Sequence, residues 1–233
     1  YYQETGRAGR DGKPADAWMT YGLADIVQQR RMIDQSTGAD EFKRVSVRKL
    51  DALVGLCETS GCRRGRLLDY FGEAFGPPKC GNCDNCLSPP RVWDGTIVAQ
   101  KALSCVYRTG QRFGALHLID VLMGRSTERV AQFGHDQLSV FGVGTEFDEK
   151  RWRAVVRQLV SLGHLQPDSE AFGALKLTPS ARGVLKGESQ VMLREETAAG
   201  SPNKRGIKAK TARRGSVPSA ASSGSSVVLN GYD

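Results

Sequence analysis

No apolar run in this chain of 233 residues approaches the roughly 20 residues that a membrane-spanning helix needs. No signal peptide is visible, and the chain opens at Tyr1 rather than at a methionine, so we expect a piece of a longer protein. The G-x-x-x-x-G-K-[ST] loop that cradles phosphates is absent, and so is an Asp-Glu-x-His box. This stretch is therefore not expected to hold and split a nucleoside triphosphate by itself. Strong overall charge is lacking too. Of the net +8, the tail from Ser201 onward holds +5, with six basic residues and one acid, which leaves +3 for residues 1–200. A nucleic-acid surface on the folded part would have to be a local patch rather than a global field.

What the chain does have is cysteine in a telling arrangement. Cys80, Cys83 and Cys86 stand in two consecutive C-x-x-C steps, Cys80-Gly81-Asn82-Cys83-Asp84-Asn85-Cys86, and Cys62 lies 18 positions before Cys80. Three thiolates so spaced reach one ion, and the fourth completes a tetrahedral four-sulfur site that suits zinc. Free buried thiols, or a disulfide pair in an exported protein, are the competing explanation, and the spacing favours metal. Such a closed site is structural, with no open position for a substrate. Arg63, Arg64 and Arg66 stand beside it, either balancing the thiolate charge or contacting phosphates. Cys57 is five residues from Cys62, a helical rotation of about 140°, and is expected to be a small buried residue rather than a ligand. Cys105 is expected in a core. His117, His135 and His164 have no ligand spacing and receive no metal role.

The first residues carry Gln3-x-x-Gly6-Arg7-x-Gly9-Arg10. Two glycines let the backbone pass close to a partner, and two guanidinium groups three residues apart suit phosphate oxygens. This string resembles motif VI of superfamily 2 helicases. The longer Tyr2-Gln3-Glu4-Thr5-Gly6-Arg7-Ala8-Gly9-Arg10-Asp11-Gly12 is similar to the RecQ DNA helicases in particular. The resemblance implies the second of two RecA-like lobes, with Arg10 as arginine finger, Arg7 and Gln3 supporting the γ-phosphate, and Gly6 and Gly9 lending backbone to the ATP site. The run from Cys62 to Cys86, with Tyr70-Phe71-Gly72-Glu73 between, again resembles that family, matching its zinc-binding subdomain.

Local patterns supply the elements. Ala15–Tyr21 alternates loosely and is expected to be a last sheet strand. Helices are expected from Leu23 to about Ser36, over Asp40–Glu58, and from Cys62 with Gly72 as its stop. After the break at Ser88-Pro89-Pro90, Asp94 is expected to cap a helix to about Tyr107 with Ile97, Val98, Ala102, Cys105 and Val106 inward. Short helices are expected over Leu116–Met123 and Glu128–Phe133. Thr145-x-x-Asp148 reads as a capping box opening the most regular helix, to about Leu162, with Trp152, Val155, Val156, Leu159 and Val160 on one face. Strands at His164–Gln166 and Ala174–Leu177 would form a hairpin, and Thr178-Pro179 would open a last helix to about Lys186.

Helices followed by a hairpin suggest a winged helix, and Gln111-Arg112-Phe113-Gly114, Gly134-His135-Asp136 and Arg157-Gln158-Leu159 are similar to the RecQ C-terminal winged-helix (RQC) domain. That resemblance implies duplex binding near a fork. Phe172 at the wing is a candidate strand-separating pin, by stacking on a base, or else it folds onto the core. Arg151, Arg153 and Arg157, with Lys150, are candidate phosphate contacts or a solvated face.

The expected fold class is mixed and α-rich. Residues 1–22 would end a RecA-like α/β lobe. Residues 23–90 would form a helical four-cysteine zinc-binding subdomain, 91–190 a winged-helix domain, and 191–233 a disordered basic linker. The closing Val227–Asp233 resembles the entry to an HRDC domain. The resemblance implies a part of an ATP-dependent 3′-5′ DNA helicase for recombination and repair, inactive alone. It would carry structural Zn2+, use ATP and Mg2+ when intact, act on duplex, forked and single-stranded DNA with single-stranded DNA-binding protein as a partner, and work in the cytoplasm at the nucleoid, away from membranes. The other reading is a stand-alone zinc-containing winged-helix DNA-binding module.

Overall fold

In the computed structural model, residues 2–8, 11–13, 15–168 and 173–195 are described. They form ten α-helices, one 3-10 turn and four short strands, an α-rich mixed fold. The first helix, α1 (Tyr2–Thr5), is a single turn. Residues 15–20 then run without regular structure and Trp18 stands 79% exposed, which corrects the strand expected there. A strand needs a ladder partner, and no described strand pairs with this segment.

Two long helices build the platform. The first, α2 (Leu23–Asp34), starts where the Asp25 carboxylate accepts the Gly22 backbone N–H at 2.7 Å. Its neighbour α3 (Asp40–Glu58) turns Val54, Leu56 and Glu58 inward. Arg30 of α2 pairs with Asp51 of α3 across their contact. Next come α4 (Arg63–Tyr70), which has no fully buried residue, and the one-turn α5 (Asp84–Leu87).

The remaining elements enclose the main core. They are β1 (Val92–Asp94), α6 (Thr96–Arg108), α7 (Ala115–Leu122), α8 (Glu128–Gln132), the 3-10 turn His135–Gln137, α9 (Glu149–Ser161), β2 (Leu165–Asp168), β3 (Ala174–Leu177), α10 (Ala181–Leu185) and β4 (Met192–Arg194). Leu103, Cys105, Leu118, Ile119, Trp152, Leu159, Leu165, Leu175 and Leu193 are sealed from solvent there. Trp152 donates its indole N–H to the Gly144 carbonyl at 2.7 Å, and a Cβ on Gly144 would lie 2.5 Å from that ring, so glycine is required.

Several boundaries differ from expectation. Ile97 is 65% exposed, because the inward stripe of α6 runs through Val98, Ala99, Ala102, Cys105 and Val106. Asp148 itself caps α9, accepting from Arg151 N at 2.8 Å, so the cap lies three residues beyond Thr145. The hairpin β2–β3 is antiparallel, with Leu165 opposite Leu177 and Asp168 opposite Ala174. The last helix begins at Ala181 rather than after Thr178. A second small sheet was not expected: β1 pairs antiparallel with β4, and Trp93 faces Leu193. The chain thus returns past residue 190 to close this unit. Phe172, Gly9, Arg10 and residues 196–233, including the expected linker and HRDC entry, lie outside the described residues.

Candidate metal centre and the surfaces around it

Each cysteine of the cluster sits where a backbone turn aims its sulfur inward. Cys62 caps α4, and its Sγ accepts the Gly65 N–H at 3.4 Å. Cys83 occupies the N-cap position of α5, with Cys86 one turn on. The Cys80 sulfur accepts N–H groups from Asn82 at 3.5 Å and Cys83 at 3.3 Å. These N–H groups hold the Cys80 thiol below its usual value, at about 6. The four sulfurs of Cys62, Cys80, Cys83 and Cys86 lie within 4.8 Å of one another. All six cysteines are unbridged, and Cys80 and Cys86 are 3.9 Å apart. A disulfide needs about 2.05 Å. Four sulfurs around a tetrahedral zinc at about 2.3 Å stand about 3.8 Å from each other. The donor set therefore fits zinc in chemistry and spacing. Cys57 is not part of the cluster, and burial pushes its thiol up to about 11. Cys105 is fully buried in the core, as expected.

The cluster is braced from α3. Arg63 grips Asp84 through two parallel hydrogen bonds, at 2.6 and 2.8 Å. Its third nitrogen donates to the carbonyls of Leu56 at 2.6 Å and Cys57 at 3.0 Å, at the end of α3. Asp84 raises the Arg63 pKa, and Arg63 in turn lowers that of Asp84. The buried Asn85 amide donates to the Thr59 and Gly61 carbonyls at 2.7 and 2.8 Å. The residues between the cysteines thus tie the Cys83–Cys86 turn to the loop carrying Cys62. Arg63 is engaged in that brace and is not a free phosphate contact. Arg64 is exposed, and Arg66 is 3.7 Å from Asp69.

The arginine motif presents Gln3, Gly6 and Arg7 on an exposed turn. On α9, Arg151 lies over the Phe147 ring at 4.1 Å, and Arg153 holds Glu149 at 2.6 Å; both arginines are exposed. Arg157 differs. Its guanidinium faces inward to the Glu58 carboxylate, and only 18% of its side chain is exposed. The pairing sets Arg157 apart from the exposed Arg151 and Arg153, with which the sequence grouped it as a candidate phosphate contact or part of a solvated face. Periodicity could place Arg157 beside the apolar stripe of α9 but could not show that α3 lies opposite.

Two histidines far apart in sequence meet in the core. His117 Nε2 and His135 Nδ1 are 2.8 Å apart, and the Phe113 ring stacks on His117 at 4.2 Å. Burial, then His135 and Arg129, pull the His117 pKa down to about 4. His135 is lowered by burial and Arg112. Both are neutral near pH 7. His164 stands apart, 3.0 Å from the Ser180 hydroxyl.

A four-sulfur helical platform joined to a helices-then-hairpin unit defines the class as a zinc-platform protein with an appended winged-helix-type domain. Comparison with known proteins agrees segment by segment. The RecQ zinc-binding family model matches residues 23–87 and the RQC domain model matches residues 89–202. The chain is 42% identical over 194 residues to the ATP-dependent DNA helicase RecQ of Pasteurella multocida, covering 83% of this chain and 30% of that protein. It is 34% identical over 199 residues to the ATP-dependent DNA helicase RecQ of Bacillus subtilis, covering 85% of this chain and 33% of that one. With the ATP-dependent helicase SGS1 of Saccharomyces cerevisiae it shares 30% identity over 219 residues, 88% of this chain and 15% of that protein. The chain belongs to the RecQ family. It spans about a third of the length of the bacterial relatives it matches. No helix among the described residues is long and apolar enough to cross a membrane.

Proposed function

We propose that this chain is the platform and winged-helix portion of an ATP-dependent 3′-5′ DNA helicase that opens duplexes in recombination and repair. The observation that carries this reading is the order of features: an arginine motif, a four-sulfur cluster and an RQC match follow one another on one chain. Zinc held by Cys62, Cys80, Cys83 and Cys86 would act as a structural cross-link. In this reading residues 1–22 end the second motor lobe, 23–90 form the platform, the unit from β1 to β4 is the winged helix, and a basic linker follows it. Arg10 is the arginine finger on ATP–Mg2+ bound elsewhere in the intact protein, and Arg7 and Gln3 support the γ-phosphate, with Gly6 and Gly9 allowing close approach. Arg151 and Arg153 are the phosphate contacts on α9. The Arg153–Glu149 pair is partly exposed, at 53% and 36%, so it can be exchanged for a DNA backbone at modest cost. Phe172 is the candidate pin. Work at the nucleoid, and a single-stranded DNA-binding protein as partner, belong to the same proposal.

The test uses the full-length gene product. We expect about one zinc per chain, ATP hydrolysis stimulated by single-stranded DNA, and unwinding of forked duplexes, with Arg10→Ala abolishing the last two but keeping the zinc. Duplex binding without any ATP hydrolysis would replace this reading with a stand-alone DNA-binding module.

A further inference from the structure

Glu58 ends α3, and its side chain is only 4% exposed. One of its oxygens, Oε1, accepts from two groups at once: the hydroxyl of Tyr21 and the guanidinium of Arg157 on α9. Arg157 also lies over the Tyr21 ring, 5.6 Å from its centre. Burial and the Glu58 hydrogen bond raise the Tyr21 pKa well above its ordinary range, which keeps its proton in place as a donor. Three parts of the chain therefore meet on one buried carboxylate: the segment leading from the arginine motif, the platform helix and the winged-helix unit.

The junction around it is mixed. Beside Glu58 lies a cavity of about 250 Å³ bordered by polar Ser60, Arg66 and Gln158 and by apolar Val92, Leu162 and Met192. The other oxygen of Glu58, Oε2, is buried and has no hydrogen-bond partner among the described residues. A second touching point exists at the hairpin, where a Cβ on Gly173 would come within 2.9 Å of the Val27 side chain on α2. A junction that is part empty is a poor geometric clamp, because apolar packing fixes an angle only where surfaces interlock. A charge pair with two donors on one oxygen fixes it better.

We propose that Glu58 is a positioning residue: through Arg157 and Tyr21 it sets the angle of the winged-helix unit on the platform and links that angle to the arginine-motif segment. Its consequence for unwinding rests on the helicase reading above. Breaking the pair from one side leaves a buried charge alone, whereas removing both charges spares the fold but not the angle.

That difference makes the test. In the full-length protein we compare Arg157→Gln with the double variant Glu58→Gln, Arg157→Gln. Arg157→Gln is expected to lower the melting temperature and to reduce fork unwinding at least tenfold, while ATP hydrolysis on single-stranded DNA stays within twofold. In the double variant the melting temperature recovers and unwinding does not. Unwinding that tracks melting temperature through both variants, or that stays normal in both, overturns the proposal. If the wild-type protein neither hydrolyses ATP nor unwinds, the helicase reading fails separately. The joint is then read by hydrogen exchange. Faster exchange of α2 and of the β2–β3 strands in both variants is expected, and unchanged exchange overturns it.

Discussion

Replacing Arg63 by methionine would remove the guanidinium that joins Asp84 to the end of α3 while keeping most of the stem's bulk. The four sulfurs would remain, but the turn carrying Cys83 and Cys86 would lose its tie to α3 and keep the bonds of Asn85 to the loop carrying Cys62. Residues that hold ligands in place contribute about 10- to 100-fold to metal affinity. Arg63→Met is therefore expected to weaken zinc binding by about tenfold, read by competition with a chromogenic chelator. Unchanged affinity would show that the knuckle holds itself. At this scale the sequence was legible where spacing carries the geometry, as with the C-x-x-C steps. It was not legible where a charge meets a partner far along the chain. Arg63 and Asp84 are 21 residues apart and Arg157 and Glu58 are 99 apart, and nothing local to either arginine reveals its partner.

Elements with a long apolar period were readable, and those defined by one residue were not. The range of α3 and the inward stripe of α9 follow from periodicity, because apolar residues recur at helical spacing over several turns of each, and in α9 that stripe faces the core. By contrast β1 and β4 are three residues each, and Leu193 is the fully buried anchor of their pairing. Too little pattern exists there to read. The meeting of α7 with the 3-10 turn, through His117 and His135, was equally hidden. It has a consequence for pH. The folded pKa of His117, about 4, lies below its ordinary value of 6.5. Between those values the unfolded chain takes up a proton that the folded chain refuses. Stability contributed by keeping His117 neutral is thus complete above pH 6.5 and is lost as pH falls toward 4. Urea melts at pH 7 and pH 4.5 should show this fall, and His117→Phe should reduce it even if the variant is less stable at pH 7. An equal fall in wild type and variant would assign the acid sensitivity to other groups.

Across the whole molecule, apolar burial is unequal. The unit from β1 to β4 encloses Trp152 and a ring of leucines, while α4 buries no residue fully and α5 buries only Asn85. A segment with so little apolar burial cannot offset its conformational entropy by packing, so its fold must lean on the sulfur cluster and on the Arg63 and Asn85 braces. Stripping zinc with a chelator is therefore expected to unfold residues 62–87 first. Amides of α4 should lose protection from hydrogen exchange while those of α6, α7 and α9 keep most of theirs. The end of α3 decides how far the loss spreads. Glu58 lies four residues before Cys62 and holds Arg157 on α9, so fraying that passes Glu58 would release the winged-helix unit while its own core stays intact. On the proposed helicase reading, duplex binding by that unit would then persist in the metal-free full-length protein, whereas unwinding would be lost. If α9 loses protection in step with α4 at every chelator concentration, platform and winged helix form one cooperative unit, and the metal stabilises the whole rather than the joint between its parts.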